Sequence, residues 1–195
     1  MGQDMHTPKA TVIETIDAAK GNAEAARKVA EAARSGAVEI DFRAGRSVAM
    51  DRLPAEIAAL EQLESVDLSS TEVTDLSPLV GLPRLRALTL SDSALTDLSQ
   101  LTRMPALRAL AVGGYGIASA EPLAALTELR ELRLTVTGVT DIAPLAGLRQ
   151  LEGLSLFATP VADVSPLAGL TGLGWLDLRD TEVVDLSPLT GLRAV

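Results

Sequence analysis

The groups in this sequence best equipped for chemistry are carboxylates. Asp75, Asp97, Asp141, Asp163 and Asp185 recur at one phase of a repeated pattern. A catalytic acid pair needs two different environments, so five copies of one role point to a turn cap. A row of oxygens could hold calcium, but no dense Asp-x-Asp-x-Asp loop with a Gly turn accompanies it. There is no Cys and a single His, His6. That excludes disulfides, thiolate metal sites, a cysteine nucleophile, a His-based metal cluster and a Ser/His/Asp triad. Gly113-Gly114-Tyr115-Gly116 lacks the Gly-Lys-Ser/Thr ending of a phosphate cradle. Met1-Gly2 resembles an acylation start, but His6 occupies the place that should be Ser or Thr. No active site, cofactor or metal is expected.

Residues suited to recognition are few. The 195 residues hold one Trp, one Tyr and two Phe, against 47% hydrophobic residues overall. Small aliphatics and Leu must therefore fill the core. A net charge of −9 argues against nucleic acid or an anionic membrane surface as the main partner. No apolar run approaches the roughly 20 residues of a membrane span, and the first residues lack a signal-peptide core. A soluble chain is expected, with the cytoplasm the favoured compartment.

The elements that position these residues follow from an internal period. Leu63, Leu85, Leu107, Leu129, Leu151 and Leu173 are spaced 22 residues apart without insertion. Within a copy, Leu recurs at places one, four and six, and a second half reads Asp-Leu-Ser-Pro-Leu-x-Gly-Leu, as in Asp75 to Leu82. Apolar places four and six with mostly polar places five and seven have the period of a half-buried strand. Asp-x-Ser-Pro suits a tight turn or short helical start. Gly81, Gly147, Gly169 and Gly191 fall where the chain bends back. One such unit cannot bury its own apolar face, so copies must stack strand beside strand in a solenoid.

The pattern Leu-x-x-Leu-x-Leu-x-x-Thr-x-Val-x-Asp-Leu-Ser-Pro-Leu-x-Gly-Leu-x-x resembles the 22-residue leucine-rich repeat of internalin-like bacterial proteins, over Leu63 to Ala194. The resemblance implies an α/β solenoid, a horseshoe with its parallel sheet on the concave face, and a role in protein binding. The family's ladder place, often Asn, is here a hydroxyl: Thr71, Ser93, Thr137, Thr159 and Thr181. Those hydroxyls are expected to bond backbone groups left free in the neighbouring turn. The third copy departs, with Tyr115 on the ladder after Gly113-Gly114, Ser119 for Asp and Ala125 for Gly, and is expected to bulge or turn outward.

Residues 37–62 read as an irregular first repeat of 26 residues, with Ile40 and Phe42 at strand places and the extra length near Ala44 to Met50. Six regular repeats occupy 63–194 of a solenoid spanning 37–195. Residues 1–36 read as an N-terminal helical cap, with 1–7 disordered. Thr7-Pro8 starts a helix to Lys20, and Gly21-Asn22 ends it and caps a second from Ala23 to Arg34. The three lysines Lys9, Lys20 and Lys28 fall opposite Val12, Ile16, Ala26 and Val29. A partner-binding helical arm is the alternative to a cap.

Places three, five and seven should face out of the concave side. In the first three copies they carry small residues; in the last three they carry Glu131, Arg133, Phe157, Trp175, Asp177 and Arg179. These six are the candidate protein-binding residues. Phe157 and Arg179 should be direct neighbours, and Trp175 should flank a shallow depression floored by Gly153, Ser155 and Asp177. Arg86, Arg108 and Arg130, at place two, form a secondary edge. The uncovered Leu layer of the last copy (Leu176, Leu178, Leu186, Leu189, Leu192) suggests a homodimer through the C-terminal end or a continuation that covers it. The function expected is non-catalytic protein recognition through the concave face, as part of a larger bacterial protein. The alternative is a structural scaffold self-associating through that end coil.

Overall fold

The computed structural model of the protein describes residues 9–43 and 49–192, with side chains from residue 18 onward. Expectations for residues 1–7, most of the extra length near Ala44 to Met50, and residues 193–195 lie outside the described residues. Seven strands form one parallel sheet in sequence order: β1 (Glu39–Asp41), β2 (Ser65–Asp67), β3 (Ala87–Leu90), β4 (Ala109–Gly114), β5 (Glu131–Thr137), β6 (Gly153–Ser155) and β7 (Trp175–Asp177). A 3₁₀ turn follows each, from Ala55–Ala59 to Ser187–Leu189. The register sets Leu88 beside Leu110, then Leu132, Leu154 and Leu176, so one leucine place forms successive layers of a continuous core.

Each coil closes by the same devices. The carbonyl at place two accepts two backbone N–H groups from the next coil, as Glu64 does from Arg86 (2.8 Å) and Ala87 (2.9 Å). Place eight turns the chain with a left-handed residue: Ser70, Asp92, Val136, Ala158 and Asp180 lie at φ 53–58°, and Gly114 at 141°. Gly is the residue that tolerates this at least steric cost, which accounts for Gly114 in the third copy; Val136, being β-branched, is strained there. The Asp row caps the 3₁₀ turns. Asp75, Asp97, Asp141, Asp163 and Asp185 each accept the backbone N–H two residues on, at 2.7–2.9 Å, and Ser119 takes that role in the third copy at 3.2 Å.

The ladder hydroxyls work differently from expectation. Thr71, Ser93, Thr159 and Thr181 donate to the carbonyl three residues earlier in their own coil, at 2.6–3.0 Å, and not to a neighbouring turn. The left-handed residue between folds the chain back, so the nearest free acceptor is local. Thr137 breaks the series. Strand β5 runs on through it, and its Oγ1 is buried with no partner. The register also shifts between Gly113 and Gly114, the bulge expected of the third copy.

The N-terminal segment is one helix, α1 (Lys9–Ser35), instead of two. Gly21 does not end it. A Cβ at Gly21 would collide with the Ala49 carbonyl, so Gly here permits close approach of helix to first coil, at a propensity cost of about 1 kcal/mol. Asn22 then bonds Asp51 twice, its amide donating to the carboxylate at 2.7 Å and its oxygen accepting the Asp51 N–H at 3.3 Å. The buried stripe is Gly21, Ala25, Val29 and Ala32, at helical spacing; Ala26 is exposed, contrary to its expected place on the apolar face. Lys28 reaches the other way, its Nζ donating to the Asp41 carbonyl at 2.7 Å on the sheet's first strand. The helix thus covers the first leucine layer. At the other end Leu176, Leu178, Leu189 and Leu192 are half-buried and Leu186 is 56% exposed, where the matching residues of earlier coils are buried.

Candidate functional site

The concave face has a plain middle and equipped ends. Ala87, Thr89, Ala109 and Ala111 make a floor of short side chains on β3 and β4. From β5 onward the outward places carry charge and rings. The parallel register aligns Glu131 with Gly153 and Trp175, and Arg133 with Ser155 and Asp177.

Trp175 does not stand beside a depression. Its indole lies over Gly153 on β6, where any Cβ would overlap the ring, and reaches the Arg133 guanidinium on β5, 5.4 Å from the ring centroid. The expected polar-floored hollow is therefore roofed at Gly153, which is buried, as is Ser155. Lacking a side chain at Gly153, the sheet offers the indole a flat backbone seat, and burying most of a ring outweighs leaving it in water. Trp175 remains 36% exposed.

Phe157 and Arg179 meet as their register requires, with the guanidinium 5.3 Å from the ring centroid. Each arginine of the site also holds an acid two residues before it. Arg133 pairs with Glu131 at 3.2 Å. Arg179 grips Asp177 as a fork, Nε to Oδ1 at 2.9 Å and Nη2 to Oδ2 at 2.8 Å, and its backbone N–H adds a bond of 3.1 Å. This fork holds the Asp177 carboxyl down at about 2, so it is ionised at every physiological pH. The four charges cancel. Such a patch presents ring faces and fixed hydrogen-bonding forks with little long-range field.

The secondary edge is less uniform than its sequence. Arg130 is paired with Glu152, and Arg86 donates to the Leu85 carbonyl at 3.2 Å. Among the described residues no acid lies within ion-pair distance of Arg86 or Arg108. Tyr115, at the ladder place, is 79% exposed at the bulge, flanked by Gly114 and Gly116, in keeping with the outward turn expected of the third copy. One feature was not read from the sequence. Asp41 and Arg43 form the same fork in the first coil, with Nη2 to Oδ2 at 2.6 Å, and Arg43 also meets Asp67 at 3.3 Å. The shared Asp-x-Arg spacing at matching places was the available signal. Among the described residues, no group of three or more acidic or imidazole side chains could hold a metal ion, and no helix is long and apolar enough to cross a membrane.

Solved structures similar to this chain are bacterial leucine-rich repeat proteins. An internalin, inlF, of Listeria monocytogenes matches with a TM-score of 0.67 and 28% identity over 76% of this chain and 45% of its own length. Internalin C2 of the same organism matches with a TM-score of 0.54 and 29% identity, over 71% of each chain. A leucine-rich repeat protein of Leptospira interrogans shares the fold, with a TM-score of 0.67 at 23% identity, over 84% of this chain and 44% of its own. The chain therefore spans less than half the length of two of these three. No protein-family model and no curated protein matches the sequence. Repeat length, strand order and these structural relatives agree: the chain is a leucine-rich repeat solenoid similar to the internalins of bacteria.

Proposed function

We propose that the chain is a non-catalytic protein-recognition module whose binding surface is the concave face of its last three coils. The observation that carries this reading is the pair of arginine–ring stacks, Arg133 on Trp175 and Arg179 on Phe157, set outward on a sheet whose core is mostly leucine. Trp and Arg are the residue types that most often carry interface energy, and here the two arginine side chains are already held by Glu131 and Asp177. Less ordering is then required on binding. Absence of Cys and a lone His in the sequence support a role without catalysis. The module serves as the recognition part of a larger bacterial protein. A partner selected by display against the intact chain should lose affinity at least about tenfold with Phe157→Ala or Trp175→Ala, fold retained. Unchanged affinity in both would move the site to the Arg86, Arg108, Arg130 edge.

A second reading is favoured by the end coil. Leu186 is 56% exposed beside half-buried Leu176, Leu178, Leu189 and Leu192. An apolar layer of this kind is covered either by a second copy or by a further coil, and the second copy is the reading taken here. Sedimentation of the intact chain over a wide concentration range tests it, and a strict monomer refutes it.

A further inference from the structure

Gln100 stands where every other regular copy has proline: Pro78, Pro122, Pro144, Pro166 and Pro188. Its side chain crosses to the preceding coil. The amide donates to the Thr74 carbonyl at 2.8 Å, and its oxygen accepts the Leu76 N–H at 2.9 Å. Past this bridge the two return segments part. After Ser77–Leu79 the chain is extended at Val80 (φ −67°, ψ 126°) and left-handed at Gly81 (φ 93°). The like turns Ser165–Leu167 and Ser187–Leu189 instead run on helically through Ala168 and Thr190. Neighbouring 3₁₀ turns pack together along the solenoid, but Ser77–Leu79 and Ser99–Arg103 barely meet. A cleft of about 230 Å³ lies between these two coils, with Leu82, Pro83, Leu85, Arg103, Met104 and Pro105 in its lining. Its floor is opened core. Leu82 and Met104 are 8% and 7% exposed, whereas Leu126, Leu148 and Leu170 at the same place are 0% exposed.

The rim of this cleft is basic. Arg103 lines it, Arg84 falls between Pro83 and Leu85, and Arg86 and Arg108 follow at the starts of neighbouring strands. The Arg108 N–H donates to the Arg86 carbonyl at 2.7 Å, which sets these two places side by side, about 4.8 Å apart. Among the described residues none of the four arginines has an acid within ion-pair distance, while Arg27, Arg43, Arg52, Arg130, Arg133 and Arg179 each hold one. At the flanking strand starts Glu152 is taken by Arg130, and Glu64 pairs with neither neighbour. Like charges side by side repel, and a carboxylate placed between two guanidinium groups relieves the repulsion with charge-assisted hydrogen bonds. The cleft is smaller than the roughly 300–1,000 Å³ of a small-molecule site, so it suits one apolar side chain of a larger partner. A simple anion would satisfy the arginines and leave the leucine floor uncovered.

We propose that the cleft between the first and second regular coils docks an acidic segment of a partner protein. The segment seats one aliphatic side chain on Leu82, Leu85 and Met104. Carboxylates on either side of it bridge Arg86 with Arg108 and meet Arg84 and Arg103. This surface lies on the first three regular coils, away from the arginine–ring stacks, and stands or falls independently of them. The whole chain carries a net charge of −9, so an acidic segment is drawn by this local patch and not by the overall field.

The test is fluorescence polarisation of a labelled peptide, Glu-Asp-Glu-Leu-Glu-Asp-Glu, titrated with the intact chain, with circular dichroism to check each variant's fold. The peptide should bind, and less tightly as salt rises. The same peptide with Ala in place of Leu should bind about tenfold more weakly, the effect of one buried aliphatic side chain. Arg86→Glu and Arg108→Glu should each weaken binding at least about tenfold. Ala106→Leu fills the cleft without a change of charge and should bring the Leu peptide down to the affinity of the Ala peptide. Arg149→Glu makes the same charge change on the fourth regular coil and should alter binding by no more than about twofold. No binding of the Leu peptide at low salt overturns the proposal. Equal affinity for the two peptides, or as large a loss with Arg149→Glu as with Arg86→Glu, also overturns it. Displacement of the peptide by inorganic phosphate at constant ionic strength assigns the arginines to simple anions and refutes a peptide site.

Discussion

Replacing Gly153 with Ala perturbs the candidate site without touching any of its functional side chains. The new Cβ would fall within the Trp175 indole, at Nε1, Cε2 and Cζ2, so the ring must swing off β6 and away from Arg133. The ring now has 36% of its residue surface exposed. If about 50–80 Å² of indole returns to water, the loss is ~1–2 kcal/mol at about 25 cal/mol per Å². Losing the cation–π contact at a partly exposed site removes a further ~0.5–1 kcal/mol. Ala in a strand recovers roughly 0.5–1 kcal/mol over Gly. The net expectation is a loss of about 1–2 kcal/mol in urea unfolding, by the same area reckoning. Trp175 is the only tryptophan in the chain, so intrinsic fluorescence reports this one ring. The variant should show red-shifted emission and faster acrylamide quenching, with far-ultraviolet circular dichroism unchanged. Emission and quenching identical to wild type, with the fold intact, would refute the seating of the indole on Gly153.

Gly21→Ala should destabilise the packing of α1 despite Ala's better helix propensity, because its Cβ meets the backbone carbonyl of Ala49, which cannot step aside; hydrogen exchange in Ala23 to Arg34 should rise. Thr159→Val should cost about 1 kcal/mol by removing the 2.7 Å bond to the Leu156 carbonyl, whereas Thr137→Val, which deletes a buried hydroxyl with no partner, should be neutral or stabilising by urea titration. Acid should weaken the fold. The carboxyls of Asp75, Asp97, Asp163 and Asp185 are held below their ordinary range, first by the backbone N–H of the Ser two residues on and then by its hydroxyl, and Asp177 is held at about 2 by Arg179. Folded values below unfolded ones mean that this stability is present above the unfolded carboxyl value of about 3.9 and is lost as pH falls through the folded values. Urea midpoints measured from about pH 5 to pH 2 should fall less steeply when those four aspartates are changed to Asn.

The period of 22 and the alternation at places four to seven sufficed to place β2 to β7 and to stack Leu88, Leu110, Leu132, Leu154 and Leu176 in one core, because burial of alternate residues is a local property repeated without insertion. The Asp caps were legible for the same reason, since each bond spans two residues. So was the meeting of Phe157 with Arg179, which follows from register alone. Three things required the tertiary structure. Gly21 reads as a helix stop until the Ala49 backbone is seen against it, because a close approach from a residue so distant in sequence leaves no local mark. The ladder hydroxyls of Thr71, Ser93, Thr159 and Thr181 bond within their own coil, each after a left-handed place eight taken by Ser, Asp or Ala with no residue type common to them. The direction of the Trp175 ring depended on three strands at once: the gap at Gly153, the guanidinium of Arg133 and the backbone of β7 that aims it. Sequence assigned Trp175 to the concave face; only packing chose its rotamer, because the competing staggered positions of a side chain differ by contacts with neighbours that the chain brings together after folding.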